Sequence, residues 1–195
     1  MILASASEVR ARILRAAGVT FDIVPARVDE DALKQSMLAA KAQPPAIADA
    51  LAELKALRLS ASNPGELVLG ADQVLVLNGE LISKCATLAE AGALLKRMRG
   101  KTHRLISALV LAKDGAPIWR HVDSAYLSVR AFSDGFLENY IASEGESLLS
   151  GVGCYKLEGR GIELFDKIDG DYFTILGLPL LPLLSALREQ AVIPA

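Results

Sequence analysis

The chain has 195 residues, 52% of them hydrophobic, enough to bury a sizeable core. Its 21 basic and 23 acidic residues leave a formal net charge of -2, which argues against a protein that coats nucleic acid or an anionic membrane, because either surface selects a basic excess. Aromatic residues at 5% give no stacking stripe for a nucleic-acid module, and no apolar run approaches the roughly 20 residues of a membrane span.

Short β-like runs alternate with helical patterns from the first residue: a strand over 1–4, then a helix over about 8–17 with Ser7 as its N-cap and Gly18 as its stop. Residues 21–24 read as a second strand, and the polar segment 29–31 opens a helical stretch toward Lys41. Gln43-Pro44-Pro45 is a turn between two helices, the second running over 46–60. After a loop over 61–66, the Val- and Leu-rich run 67–77 meets Asn78-Gly79, a two-residue hairpin signal, with 80–82 as the returning strand. A helix over 88–99 is stopped by Gly100. A longer hairpin joins 104–113 to 118–131 at Asp114-Gly115. Ser133 caps a helix to about Ser143, a glycine-rich segment covers 151–161, a strand covers 162–168, and a final helix starts near Pro179. The class is mixed α/β in a single domain over 1–195, without strict βαβ alternation or internal repeats.

Two segments carry candidate chemistry. At Leu3-Ala4-Ser5-Ala6-Ser7-Glu8-Val9-Arg10 a strand runs into a capped helix, where free N–H groups, the hydroxyls of Ser5 and Ser7 and the Arg10 guanidinium could cradle a phosphate. The plainer alternative is a capped helix with a solvated arginine. In Gly70-Ala71-Asp72-Gln73-Val74 an aspartate interrupts a buried strand, and a buried carboxylate demands a cation, a metal or a catalytic task, unless it is a hydrogen-bonded structural residue at a bulge. Lys84, beyond the hairpin, is either a phosphate ligand or a solvated lysine.

Other motifs fail. Gly100-Lys101-Thr102 resembles the end of a P-loop, but Leu95 stands where its glycine should be and the segment leaves a helix instead of entering one. The glycines 151, 153, 159 and 161 lack dinucleotide-fingerprint spacing and mark a loop where backbone approaches a ligand or a neighbouring strand, or plain turns. His103 and His121 have no spacing partners for a zinc site or a Ser-His-Asp triad and read as structural or exposed. Cys85 and Cys154 are not closely spaced, and the N-terminus has no secretory signature, so a reducing cytoplasmic location is expected. A hard divalent cation held by carboxylates is the compatible cofactor.

In order, Leu3-Ala4-Ser5-Ala6-Ser7 with Arg10, Val28-Asp29-Glu30, Lys55, Gly70-Ala71-Asp72, Lys84, Gly100-Lys101-Thr102-His103 and Gly177-Leu178-Pro179-Leu180 resemble the Maf family of nucleotide pyrophosphatases, over essentially the whole chain. The resemblance implies an elongated mixed β-sheet flanked by helices, of the Maf and ITPase-like kind. It also implies hydrolysis of a nucleoside triphosphate between its α and β phosphates with Mg or Mn. It assigns Asp72 and Lys84 as catalytic residues, Asp72 as proton acceptor for the attacking water and Lys84 facing the phosphates, Glu30 and Asp72 to the metal, and Ser5, Ser7, Arg10 and Lys55 to the phosphates. A homodimer is also implied.

The chain departs from the family pattern at Glu8, where the family has a proline, at Ala11, which leaves Arg10 alone of an expected pair of arginines, at Leu54 for a glutamate, and at Ser83 and Cys85 around Lys84. Within the family the resemblance is closer to the 7-methyl-GTP subgroup. Gln73 stands where the dTTP and UTP subgroup has threonine and Glu158 where it has glutamine, while Val9 occupies a third specificity position. A dTTP/UTP pyrophosphatase and a non-catalytic nucleotide-binding regulator linked to septum formation are the alternatives.

Overall fold

In the computed structural model, which describes residues 1–194, seven strands form one mixed sheet in the order β2-β1-β3-β5-β6-β7, with β4 paired to the end of β3. The strands are β1 (Ile2–Leu3), β2 (Asp22–Ile23), β3 (Val68–Leu77), β4 (Glu80–Ile82), β5 (Thr102–Lys113), β6 (Ala116–Val129) and β7 (Phe165–Asp169). The helices are α1 (Glu8–Ala16), α2 (Glu30–Ala39), α3 (Pro44–Ser60), α4 (Leu88–Met98), α5 (Asp134–Glu144), α6 (Tyr172–Ile175) and α7 (Leu180–Glu189). Strand β1 is parallel to both β2 and β3, whereas β4 on β3 and β7 on β6 are antiparallel. The α/β class with a mixed sheet is therefore as the sequence reads.

Both hairpin turns place a non-glycine residue and a glycine at positive φ in succession, Asn78 and Gly79, then Asp114 and Gly115. That pair of conformations matches the twist of the flanking strands, which explains why these dipeptides were legible. Ser7, Thr87 and Ser133 each accept a backbone N–H three residues on, satisfying a donor at the start of α1, α4 and α5. Among the described residues no helix is long and apolar enough to cross a membrane.

The chain divides into two compact units. The first comprises Met1–Gln73, Ile106–Asp123 and the chain from Asp171 onward; the second comprises Val74–Leu105 and Ser124–Gly170. In the first unit, alternation along β3 sends Leu69 and Ala71 into a core with Leu3, Leu14, Leu109, Leu183 and Leu187 from β1, α1, β5 and α7. Gly70 and Asp72 take the other face, where Gly70 lies directly against the α3 backbone at Ala52 and Ala56. A Cβ at position 70 would stand 2.1 Å from the Ala52 carbonyl oxygen, so only glycine permits this approach.

Two local expectations need correction, and one element was not anticipated. The expected strand over 162–168 begins only at Phe165, because Arg160–Leu164 form a 3-10 turn and Gly161 lies against the Lys156 backbone. The prolines at 44 and 45 lie inside the first turn of α3, where their missing N–H groups have no helical partner to lose. The four-residue helix α6, capped by Asp171, had no visible periodicity.

Candidate active site

Three side chains from three elements of the first unit converge. Asp72 on β3 is 6% exposed, and its Oδ1 accepts a hydrogen bond from the Lys55 ammonium of α3 at 2.6 Å. The same Lys55 Nζ lies 3.0 Å from Oε1 of Glu30, the first residue of α2. Asp29 caps α2 by accepting the Ala32 N–H at 2.9 Å, which fixes where Glu30 begins the helix. Lys55 follows Ala52 and precedes Ala56 on the turn that presses against Gly70, so the close helix–strand approach delivers the ammonium to the carboxylate two residues further along β3.

The loop between β1 and α1 is organised around Arg10. Its Nε donates to the Gly177 carbonyl at 2.8 Å, and its Nη1 donates to Ser5 Oγ at 3.2 Å and to the Ala71 carbonyl at 3.1 Å. Ser5 Oγ also accepts the Ser7 backbone N–H at 3.2 Å, and Ser7 Oγ accepts the Arg10 backbone N–H at 3.4 Å. Burial pulls the Arg10 pKa down, and the negative charges of Asp72 and Glu30 oppose that shift. A guanidinium so held keeps its charge. Gly177 has φ +86, and an added Cβ would approach the Arg10 guanidinium to 3.2 Å, so glycine serves both the turn and the close contact.

Gln73 faces the opposite side of β3 from Asp72. Its Nε2 lies 3.0 Å from Ser107 Oγ and 3.1 and 3.0 Å from the Thr174 and Ile175 carbonyls. Ser107 Oγ in turn donates to the Thr174 carbonyl at 2.8 Å. This network ties β3 and β5 to α6, which leads directly into the Gly177 turn that orients Arg10. Sequence reasoning missed Ser107, Thr174 and the Gly177 carbonyl; the one signal was Ser107, a polar residue inside the otherwise apolar run of β5. Val9, half-buried, packs against the core cluster that contains Leu3 and Leu14.

Lys84 and Glu158 belong to the second unit, where both are exposed: Lys84 follows β4, and Glu158 precedes the Arg160–Leu164 turn. His103, buried in the same unit, shares a 2.6 Å hydrogen bond with the Tyr155 hydroxyl, and burial holds its pKa near 4 against an ordinary 6.5. Of its two expected roles the structural one holds. Gly100, at φ +67, ends α4 ahead of β5, so the Gly-Lys-Thr segment does not open a helix.

The Maf-like protein family matches residues 1–190. This chain belongs to the Maf family. A Caulobacter vibrioides protein named nucleoside triphosphate pyrophosphatase is 59% identical over 95% of this chain and 93% of its own length. A Granulibacter bethesdensis protein of the same name is 50% identical over 97% and 96%. A Brucella abortus protein named 7-methyl-GTP pyrophosphatase is 46% identical over 99% and 97%. Among solved structures, a nucleoside-triphosphatase or dITP/XTP pyrophosphatase from Mycobacterium abscessus is 14% identical over 99% of this chain and 97% of its own, with a TM-score of 0.41. In the Maf frame, the Ser5–Arg10 loop, Glu30, Lys55 and Asp72 are the motif residues that the first unit gathers.

Proposed function

We propose that the chain is a metal-dependent nucleoside triphosphate pyrophosphatase that cleaves between the α and β phosphates, releasing a nucleoside monophosphate and pyrophosphate, with residues 1–195 acting as one enzymatic domain. The observation that carries this reading is the convergence of Glu30 and Asp72 on one cation, Lys55 Nζ, at 3.0 and 2.6 Å. Two hard carboxylate donors so placed fit Mg or Mn, which uses one or two carboxylates and fills its remaining positions with water and substrate phosphates. The metal would neutralise phosphate charge and orient the reacting groups. Among the described residues no group of three or more His, Cys, Asp or Glu converges, so a site completed by substrate suits the donor set better than an all-protein cage.

The residues of this chain do the rest. Asp72 accepts the proton of the attacking water. Arg10, already held by three protein acceptors, presents a fixed guanidinium to phosphate oxygens, with Ser5 and Ser7 completing the loop. Lys55 and Lys84 neutralise further phosphate charge, which is most of what phosphoryl displacement asks of a protein.

For the base we propose 7-methylguanine, read by Glu158, with Val9 and Gln73 as the other specificity positions. A guanine edge offers two adjacent N–H donors to a carboxylate, whereas thymine and uracil offer a mixed edge that suits an amide. Methylation at N7 adds positive charge that the same carboxylate attracts. Gln73, whose amide nitrogen meets Ser107 and α6, influences the base indirectly through the turn that it braces. A panel of nucleotides assayed for pyrophosphate tests this: 7-methyl-GTP should exceed dTTP and UTP in kcat/KM by at least about tenfold, or about 1.4 kcal/mol. Glu158→Gln with Gln73→Thr should move preference toward the pyrimidines. Preference for dTTP or UTP in the unaltered protein, or an unchanged ratio in the double variant, defeats the assignment of the base.

A further inference from the structure

Lys55 is the least conventional member of the site. Its side chain is 11% exposed, and its ammonium lies between two carboxylates that are the metal donors of the proposed function. Lys55 and Arg10 together supply two positive charges and Glu30 and Asp72 two negative ones, and Arg10 is near enough to feel both carboxylates. The four side chains are thus neutral as a group. A divalent cation arriving alone would meet carboxylates whose charge is already matched and two fixed cations that repel it.

A triphosphate changes that balance. Its negative charge gives both the metal and the displaced ammonium new partners, so an arrangement unfavourable for the metal alone becomes favourable for metal and nucleotide together. We propose that Lys55 is the resident counter-cation of the Glu30–Asp72 pair, and that a divalent metal enters this site together with the nucleotide, whose phosphates take over the lysine. This rests on the pyrophosphatase reading and deepens it. Lys55 then acts twice, holding the two carboxylates together before substrate arrives and turning to the phosphates afterwards. The coupling is reciprocal, so the metal strengthens nucleotide binding by the same factor as nucleotide strengthens metal binding.

The test is Mn2+ binding followed by electron paramagnetic resonance, with and without a non-hydrolysable α,β-methylene guanosine triphosphate, after subtracting Mn2+ chelated by the analogue in solution. Unaltered protein should bind Mn2+ at least about tenfold more weakly without the analogue than with it. Lys55→Met should tighten binding of Mn2+ alone by about tenfold and shrink the difference, whereas Lys55→Arg, which keeps the charge, should leave Mn2+ alone weakly bound. Equal affinity with and without the analogue in the unaltered protein overturns the proposal without any variant having to fold. A folded Lys55→Met that binds Mn2+ alone no better than the unaltered protein also overturns it. Glu30→Gln separates this failure from failure of the underlying reading. If Glu30→Gln weakens Mn2+ binding in the ternary complex while Lys55→Met changes nothing, the metal site stands and the counter-cation role falls. If Glu30→Gln leaves Mn2+ binding intact, both fall.

Discussion

Gly70→Ala is the substitution by which the fold should reach the chemistry. The new Cβ would stand 2.1 Å from the Ala52 carbonyl oxygen, 2.7 Å from the Ala56 nitrogen and 2.9 Å from the Ala56 Cβ. Two of these atoms are helix backbone, so no side-chain rotation relieves the overlap, and α3 must move away from β3 by about 1 Å to restore van der Waals contact. Overpacking of this kind costs about 1–3 kcal/mol, set against a gain of up to about 1 kcal/mol from the stiffer unfolded chain. At about 2–4 °C per kcal/mol for a chain of this size, the melting temperature should fall by several degrees. The functional effect should be larger, because Lys55 rides on the same turn of α3 and its 2.6 Å bond to Asp72 would stretch beyond hydrogen-bonding reach. A misplacement of about 1 Å at a catalytic group can cost on the order of a hundredfold in rate. Thermal unfolding and pyrophosphate release on the same preparation measure both. Gly135→Ala is the control, because a Cβ there meets nothing within 4 Å. A Gly70→Ala protein that melts within about 1 °C of the unaltered one and turns over within about twofold would refute the claim that this contact positions Lys55.

Two further predictions concern the second unit. His103 has a pKa near 4 when folded against 6.5 unfolded, so the unfolded state takes the proton first as pH falls. The stability tied to neutral His103 is complete above about pH 6.5 and is lost progressively down to about pH 4, by up to about 3 kcal/mol. In urea titrations from pH 7 to 4.5, His103→Gln should flatten that loss relative to the unaltered protein, and parallel curves would contradict the assignment. For the thiols, burial and then the neighbouring Cys85 push Cys154 up to about 12, while Cys85 is half-buried. A disulfide-exchange reagent at mildly alkaline pH should therefore titrate Cys85 quickly in native protein and Cys154 only after denaturation, and two equally fast thiols would show that the burial is wrong.

What was legible in the sequence follows the range of the interactions. Asp72 stood out because one carboxylate broke an apolar run, and the structure supplies the buried cation that such a break requires. The hairpins and caps were visible because Asn78-Gly79, Asp114-Gly115, Ser7 and Ser133 act within a few residues of their own backbone. The partners of Lys55 were not derivable from spacing, since they come from α2 and β3, on either side of α3 in the chain. Helix α6 was equally hidden, because its purpose is the long-range contact with Gln73 and four residues carry no period, and Gly177 was visible as part of a family motif but not as the carbonyl that holds Arg10. The strand expected from Ile162 was shortened by Gly161, whose contact with Lys156 ties the backbone into a local turn.

The most direct test of the central claim is to identify the first phosphorus product by 31P NMR when the protein is given 7-methyl-GTP and Mg2+, beside an Asp72→Asn variant confirmed to be folded. Pyrophosphate and 7-methyl-GMP should appear together. The variant should be slower by at least about a hundredfold, because an amide neither takes the water proton nor neutralises a metal. Orthophosphate as the first product, or an Asp72→Asn protein that keeps near-normal turnover, would contradict the account.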